Sequence, residues 1–357
     1  MMSSPKETGK TQQDSAAADA VSVHRAFVYG ACGPGFGEIY AGARLRGYAT
    51  LLLFLAFTVW FTWSLVGVMR IFVNQIFDSL NGTAPFALPQ ISFAAVAISF
   101  FGIYFTWLWA MISAVEAAVS RRRKAGLAAQ AGVGWGAAIA WFCPGAGQVY
   151  TAERRFGFIL FGVYLVGILL IVPAYLQMFQ SLSALAKSGK LSTHDPFAVI
   201  HIVHELVTRV NYSFGKIFQD AVKYFSVAGT MAALRQGPLQ TDTNWLRPSV
   251  AYGAGLVGLG WLCPGSGQLL QGRSRLGWIF FAGYFGSKLL IALLLGRSLI
   301  TVANADALAW VYVIIQWAAM VEAPLAMRRA DRGQKTEYPT SLYELRRGKQ
   351  GTEKRRR

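Results

Sequence analysis

The chain has 357 residues, 54% hydrophobic, 14% aromatic and only 14% charged, with a mean hydropathy of +0.39 and a net charge of +17. Soluble domains carry about 25% charged residues; here the stretches 48–69, 91–115 and 156–186 hold no Asp, Glu, Lys or Arg at all. Each exceeds the roughly 20 residues that cross a bilayer core as helix, which excludes a soluble enzyme, a secreted disulfide scaffold and a disordered protein.

Residues 1–22 are rich in Ser, Ala, Gln and Lys and lack the apolar core of a signal peptide, so they read as a solvated, disordered tail. A short apolar lead, 26–32, follows and ends in Cys32-Gly-Pro-Gly-Phe-Gly-Glu-Ile-Tyr40. After Arg44 and Arg46, Gly47 opens the first long apolar run. A second run closes with Ala110-Met-Ile-Ser-Ala-Val-Glu116 and then Arg121, Arg122 and Arg123.

The same order recurs twice. Cys143-Pro-Gly-Ala-Gly-Gln-Val-Tyr150 and Cys263-Pro-Gly-Ser-Gly-Gln-Leu-Leu270 align with the first motif on Pro34, Pro144 and Pro264, spaced 110 and 120 residues apart. Gly35, Gly145 and Gly265 then coincide, as do Gly37, Gly147 and Gly267, and Glu38, Gln148 and Gln268. Gly47, Gly157 and Gly277 stand thirteen residues after their prolines. Basic residues lie between: Arg44 and Arg46, Arg154 and Arg155, Arg273 and Arg275. A register held three times is an internal repeat.

The middle repeat is irregular. Pro173 predicts a kink in its first helix, which ends near 186. A polar loop, 187–196, and the stretch 197–234, rich in His, Lys, Asp and Asn, come next; only the latter half of that stretch suits lipid. The third helix pair is expected at 276–296 and 307–325. From Arg328 onward the chain is strongly basic, a cytoplasmic tail suited to contact with anionic lipid.

Charge sets the expected topology. Arginines flank the first two leads on both sides, and the third has Arg247 before it and Arg273 and Arg275 after it. If basic residues stay inside, each lead must dip into the membrane and return at its Pro-Gly break. Such backbone is tolerated only where protein or a wet cavity buries it. The expectation is an all-α, polytopic membrane protein of three tandem helical-hairpin repeats. It has about six spanning helices plus three short re-entrant or interfacial ones. Nine spans, with the second and third leads crossing, is the alternative. The segments are 1–22 (tail), 23–124, 125–246 and 247–330 (repeats) and 331–357 (basic tail).

The pattern Pro-Gly-x-Gly-Gln-x-Tyr, followed by a glycine two residues on and another five after that, resembles the signature of TM2-type domains and related bacterial membrane families. Tyr40 and Tyr150 fit the tyrosine, while Leu270 departs; Gly42 and Gly272 fit the spaced glycine, while Ala152 departs. The resemblance implies a small helical-hairpin membrane module. It implies no particular activity.

Several residues are singled out by their chemistry. Glu38, Gln148 and Gln268 are suited to satisfy backbone groups exposed by the Pro-Gly breaks, which read as tight turns in preference to a gate. Lys288 falls near the bilayer centre, where a lysine costs about 2.5–3.5 kcal/mol; Asp220 and Gln316 are its expected partners. Glu116 and Glu322 lie nearer the inner surface and are expected to neutralise adjacent arginines. His201, His204 and Glu205 share one helix face at a spacing that suits a divalent metal, with His194 and Asp195 upstream. Cys32, Cys143 and Cys263 share one repeat position, where a small buried role is favoured over a trigonal metal site.

No nucleophile–base pair, P-loop or dinucleotide fingerprint stands on an aqueous loop. No catalytic residue or cofactor is therefore assigned, although an intramembrane lipid enzyme stays open. The expected function is a structural or accessory component of a bacterial inner-membrane protein assembly, with both termini cytoplasmic. Its expected partners are lipids and other membrane proteins or a second copy, not nucleic acid. The alternative is a small-solute transporter or channel with a site at the repeat interfaces.

A labelling experiment distinguishes the topologies. In a cysteine-free background, Arg46→Cys, Arg154→Cys and Arg275→Cys should react with an impermeant thiol reagent in inside-out vesicles only. Gly189→Cys should react only in intact spheroplasts. Outside labelling at position 154 would replace six spans with nine.

Overall fold

The computed structural model describes residues 21–81, 94–127, 132–187, 196–236 and 249–331, and all regular structure among them is helical. Residues 1–20 of the amino-terminal tail, the loop 188–195 with His194 and Asp195, Arg247, and the basic tail from 332 lie outside the described residues. The chain divides into two compact units, Met1–Gln130 and Ala131–Arg357.

In the first unit a ten-residue helix, α1 (Val23–Cys32), leads through the Pro-Gly elbow into the short α2 (Phe36–Tyr40). Two long helices follow, α3 (Arg44–Leu80) and α4 (Ala94–Lys124). The other three helices all pack on α4.

The second unit contains two such sets. Helices α5 (Val133–Phe142), α6 (Ala146–Tyr150) and α7 (Arg154–Lys187) pack on α9 (Phe214–Gln236). The inserted α8 (Pro196–Asn211) starts on its proline, where a missing N–H costs nothing, and touches α7, α9 and α13. Helices α10 (Val250–Leu262), α11 (Ser266–Leu270) and α12 (Ser274–Gly296) pack on α13 (Val302–Asp331). In addition, α11 and α12 lie against α9. Helix α7 runs through Pro173 without ending there.

Each elbow is built around a glycine in left-handed conformation. Gly35, Gly145 and Gly265 have φ of 95°, 94° and 90°, a region closed to most L-residues. A Cβ on any of them would fall on the carbonyl oxygen of Gly47, Gly157 or Gly277 respectively. The reverse approach is equally close: a Cβ on Gly47 would sit 2.7 Å from the Gly35 oxygen. The backbone of the first long helix therefore lies directly on the elbow, and the twelve-residue spacing of paired glycines records that contact. The amides of residues 43, 153 and 273 donate to the carbonyls of Glu38, Gln148 and Gln268 at 2.8–2.9 Å, closing the turn.

Among the described residues five helices are long and apolar enough to cross a membrane: Arg44–Asp78, Ala94–Lys124, Arg154–Leu182, Ser274–Gly296 and Val302–Ala330. The sixth expected span corresponds to α9, which has 23 residues but is not in that set. Lys216, Asp220, Lys223 and Arg235 dilute its apolarity. Every position from 215 to 234 is nonetheless at least half-covered or buried by protein. The leads α1, α5 and α10 have 10, 10 and 13 residues. At about 1.5 Å per residue they reach only about 15–20 Å, well short of a hydrocarbon core of about 30 Å.

The turn position after each motif offers a test. Gly42 and Gly272 are left-handed with φ of 89° and 83°, and Ala152 is forced into the same region at 70°. Left-handed conformation costs an L-residue roughly 1–2 kcal/mol. Ala152→Gly should therefore raise the melting temperature of the purified protein, whereas Gly145→Ala, with no room for a Cβ, should lower it. Equal stability of Ala152→Gly and wild type would show that the alanine carries no strain.

Candidate functional site

Two sets of polar contacts stand out among the helices. The first lies at the elbows. Glu38, Gln148 and Gln268 are completely buried, and each reaches the second long helix of its hairpin. The Gln148 side chain donates to the Ser226 carbonyl at 2.8 Å and accepts from the Ser226 hydroxyl at 3.0 Å. The same hydroxyl takes the Gly145 amide at 2.9 Å. Gln268 donates to the Ala319 carbonyl at 2.8 Å and to Glu322 at 3.1 Å. These side chains thus fasten the elbow to a neighbouring helix; the sequence had suggested the broken backbone itself, and here Ser226 takes that role for Gly145.

In the first unit a carboxylate fills the same place. Thr50 donates to Glu38 at 3.3 Å, the Ser113 hydroxyl lies near it, and Arg46 Nε stands 3.8 Å from it. Burial outweighs these partners and pushes the Glu38 carboxyl above its ordinary range. Glu116 accepts from Arg46 at 3.0 Å, and Glu322 is bound in two-pronged fashion by Arg273. The glutamates therefore neutralise arginines from the turns after the elbows, across the hairpin. The middle hairpin has Gly229 in the corresponding place; a Cβ there would stand 3.1 Å from the Gln148 amide nitrogen.

The motif tyrosines cap the leads. Tyr40 accepts the Ser22 amide at 3.2 Å, and Tyr150 accepts the Gly132 amide at 2.7 Å. Ser22 and Gly132 are the residues that begin α1 and α5, whose first amides lack helical partners. Burial raises the Tyr150 phenol to about 12, so it stays protonated.

The second group runs from the elbows of the second unit outward along α9, where α9, α12 and α13 meet. Lys288 Nζ stands 4.0 Å from one oxygen of Asp220, and Lys216 binds the other. Residues 216, 220 and 223 fall at i, i+4 and i+7 on α9, one helix face. Lys288 lies over the rings of Tyr284 and Tyr312, 5.1 Å from each centroid, and Lys223 lies 3.8 Å over Trp141. Tyr212 and Tyr312 hydroxyls are 3.3 Å apart. Lys288 and Asp220 are thus together as expected. Gln316 is not with them: it donates to the Trp261 carbonyl at 2.6 Å. The i, i+4, i+7 spacing of Lys216, Asp220 and Lys223 was the signal in the sequence for the wider cluster.

The histidine face does not converge on a metal. His204 pairs with Asp306 of α13 at 2.9 Å, and Glu205 pairs with Arg209. His201 lines the same open cavity of about 540 Å³. Among the described residues no group of three or more His, Cys, Asp or Glu is placed to hold a metal ion. Cys143 and Cys263 are fully buried thiols, and burial pushes Cys263 far up; Cys32 is exposed.

Compared with protein-family models, with curated proteins and with solved structures, the chain matches none of them.

Glu38 yields a pH prediction. Its raised pKa means the native chain holds a proton that the unfolded chain releases above about pH 4.3. The stabilisation is full below that value and declines as pH rises through the native pKa. Glu38→Gln, which copies Gln148 and Gln268, should remove this decline in melting temperatures measured between pH 4 and 8. A slope unchanged in Glu38→Gln would assign it to another group.

Proposed function

We propose that this chain is a six-span protein of the bacterial inner membrane, made of three TM2-like hairpin modules with both termini cytoplasmic. It serves as a structural or accessory component of a membrane assembly. The elbow chemistry supports this reading: the motif's polar side chains are consumed in fastening each short lead and first span to a second span. A gate would present them to a solute.

The observation that carries the reading is the state of α3. In its most apolar stretch no residue is buried within the chain, and its 37 residues extend about 55 Å, well beyond a hydrocarbon core of about 30 Å. Trp63 is 80% exposed, with Val59, Trp60 and Val66 also open around it. Aromatic and aliphatic side chains of this kind suit lateral packing against a second apolar helix. Lipid tails give no hydrophobic drive for that packing, so its strength would come from van der Waals fit.

A photo-crosslinking amino acid placed at Trp63 checks the assembly reading in native membranes. The expected result is a discrete protein adduct of constant stoichiometry at this site and a much weaker one from Leu290 of α12. Lipid adducts alone at both sites would overturn it.

A further inference from the structure

We propose that Lys216, Lys223 and Lys288 form a binding site for a phosphate-type oxyanion in the second unit, between its elbows and the far end of α12. The inference goes beyond the assembly reading and does not depend on it.

The argument begins with charge. Lys216 and Lys288 share the single carboxylate of Asp220, and Lys223, seated over Trp141, stands within its field, leaving a surplus of two positive charges within helices flanked by spanning segments. Both Lys223 and Lys288 feel Asp220 and Lys216 electrostatically. Neither Lys216 nor Lys288 is a surface residue: their side chains are 28% and 19% exposed. A partly buried charge left unpaired is costly, and a lysine at membrane depth more so.

Donor bookkeeping leads to the same class of ligand. Three ammonium groups bring nine N–H donors, against about four lone-pair sites on one carboxylate. Lys288 stands 4.0 Å from its carboxylate oxygen, too far for a hydrogen bond, and rests instead on two tyrosine faces. What the cluster lacks is a compact, acceptor-rich anion. Lysine suits phosphate as a point charge, and the hydroxyls of Tyr212 and Tyr312 add rotatable donors nearby.

A cavity of about 390 Å³ lies beside the cluster, walled by Tyr212, Ser213 and Phe214 of the α8–α9 corner and by Leu289 of α12; the three lysines are not among its walls. Arg209, paired with Glu205, also stands at its wall, and Leu293 with Ala292 makes the α12 side apolar. Lys288 is eight residues, about 12 Å, from the end of α12 at Gly296. A phosphate is available at that depth from two sources, the head group of an anionic phospholipid or the free ion.

The test uses the full chain in uncharged detergent, with melting followed by tryptophan fluorescence. One arm titrates potassium phosphate against potassium chloride at matched ionic strength. The other adds phosphatidylglycerol against phosphatidylcholine. Wild type should be stabilised in at least one arm; phosphate alone identifies the free ion, and phosphatidylglycerol alone the lipid head group. Lys288→Gln and Lys216→Gln should each raise the half-saturating concentration by about tenfold or more, the loss of one charge-assisted hydrogen bond. Asp220→Asn should move it the other way, because the competing carboxylate is gone. The proposal is overturned if neither anion stabilises wild type beyond its control. It is also overturned if the lysine variants respond as wild type does, or if Asp220→Asn is destabilised and the anion gives no recovery.

Discussion

The backbone contact between two glycines twelve residues apart is the constraint on which each hairpin depends. Because the elbow glycine is left-handed, the chain reverses without a helix continuing across the proline. Because its partner has no side chain either, the first long helix can begin directly on the turn. That placement carries residue 38, 148 or 268 into the interior, where only a side chain with its own hydrogen bonds is tolerable. Close approach then spreads to the lead: a Cβ on Gly30 would meet the Ala110 carbonyl at 3.1 Å, and one on Gly260 the Met320 backbone at 3.0 Å.

The third hairpin shows how a departure from the motif is accommodated. Its lead has 13 residues where the other two have 10, so its first turn is carried about 4.5 Å further along the helix axis. A hydroxyl at position 270 would no longer lie against the first amides, and Leu270 is completely packed in its place. The tyrosine and the lead length thus vary together, as a geometric link between them requires. A comparable exchange distinguishes the first hairpin, where the buried group is an acid with an arginine and two hydroxyls around it.

Much of this was legible in one sequence. Uncharged runs marked three of the five described helices long and apolar enough to cross a membrane, and the thrice-held glycine register marked the elbows before any contact was known. The depth of Lys288 pointed to Asp220, because both positions follow from helix rise alone. What escaped was everything set by the angular position of a side chain. Gln316 has a suitable depth, but it turns to the Trp261 carbonyl. His201, His204 and Glu205 share a helix face, yet an aspartate 102 residues from His204 and an arginine four after Glu205 engage them separately. Long-range pairing of this sort has no local signal.

Helix α9 shows why composition and position must be weighed together. By hydropathy it is the weakest of the long helices, and a composition rule tuned to lipid contact passes it over. Its place in the second unit supplies the reason. It receives α5, α6 and α7 on one side and α11 and α12 on another, so Ser226, Val227, Ala228, Thr230 and Met231 are wholly buried. A helix wrapped by other helices has no need of an all-round apolar surface, since its polar groups find partners in protein. Ser226 meets Gln148, Thr230 bonds back to the Ser226 carbonyl, and Asp220 meets lysines from two helices. In contrast, α3 is apolar for nearly its whole length and is covered least. Polarity and burial therefore run together in this membrane-type architecture: the charges that make α9 inconspicuous to hydropathy are tolerated because it is the helix around which the second unit is assembled.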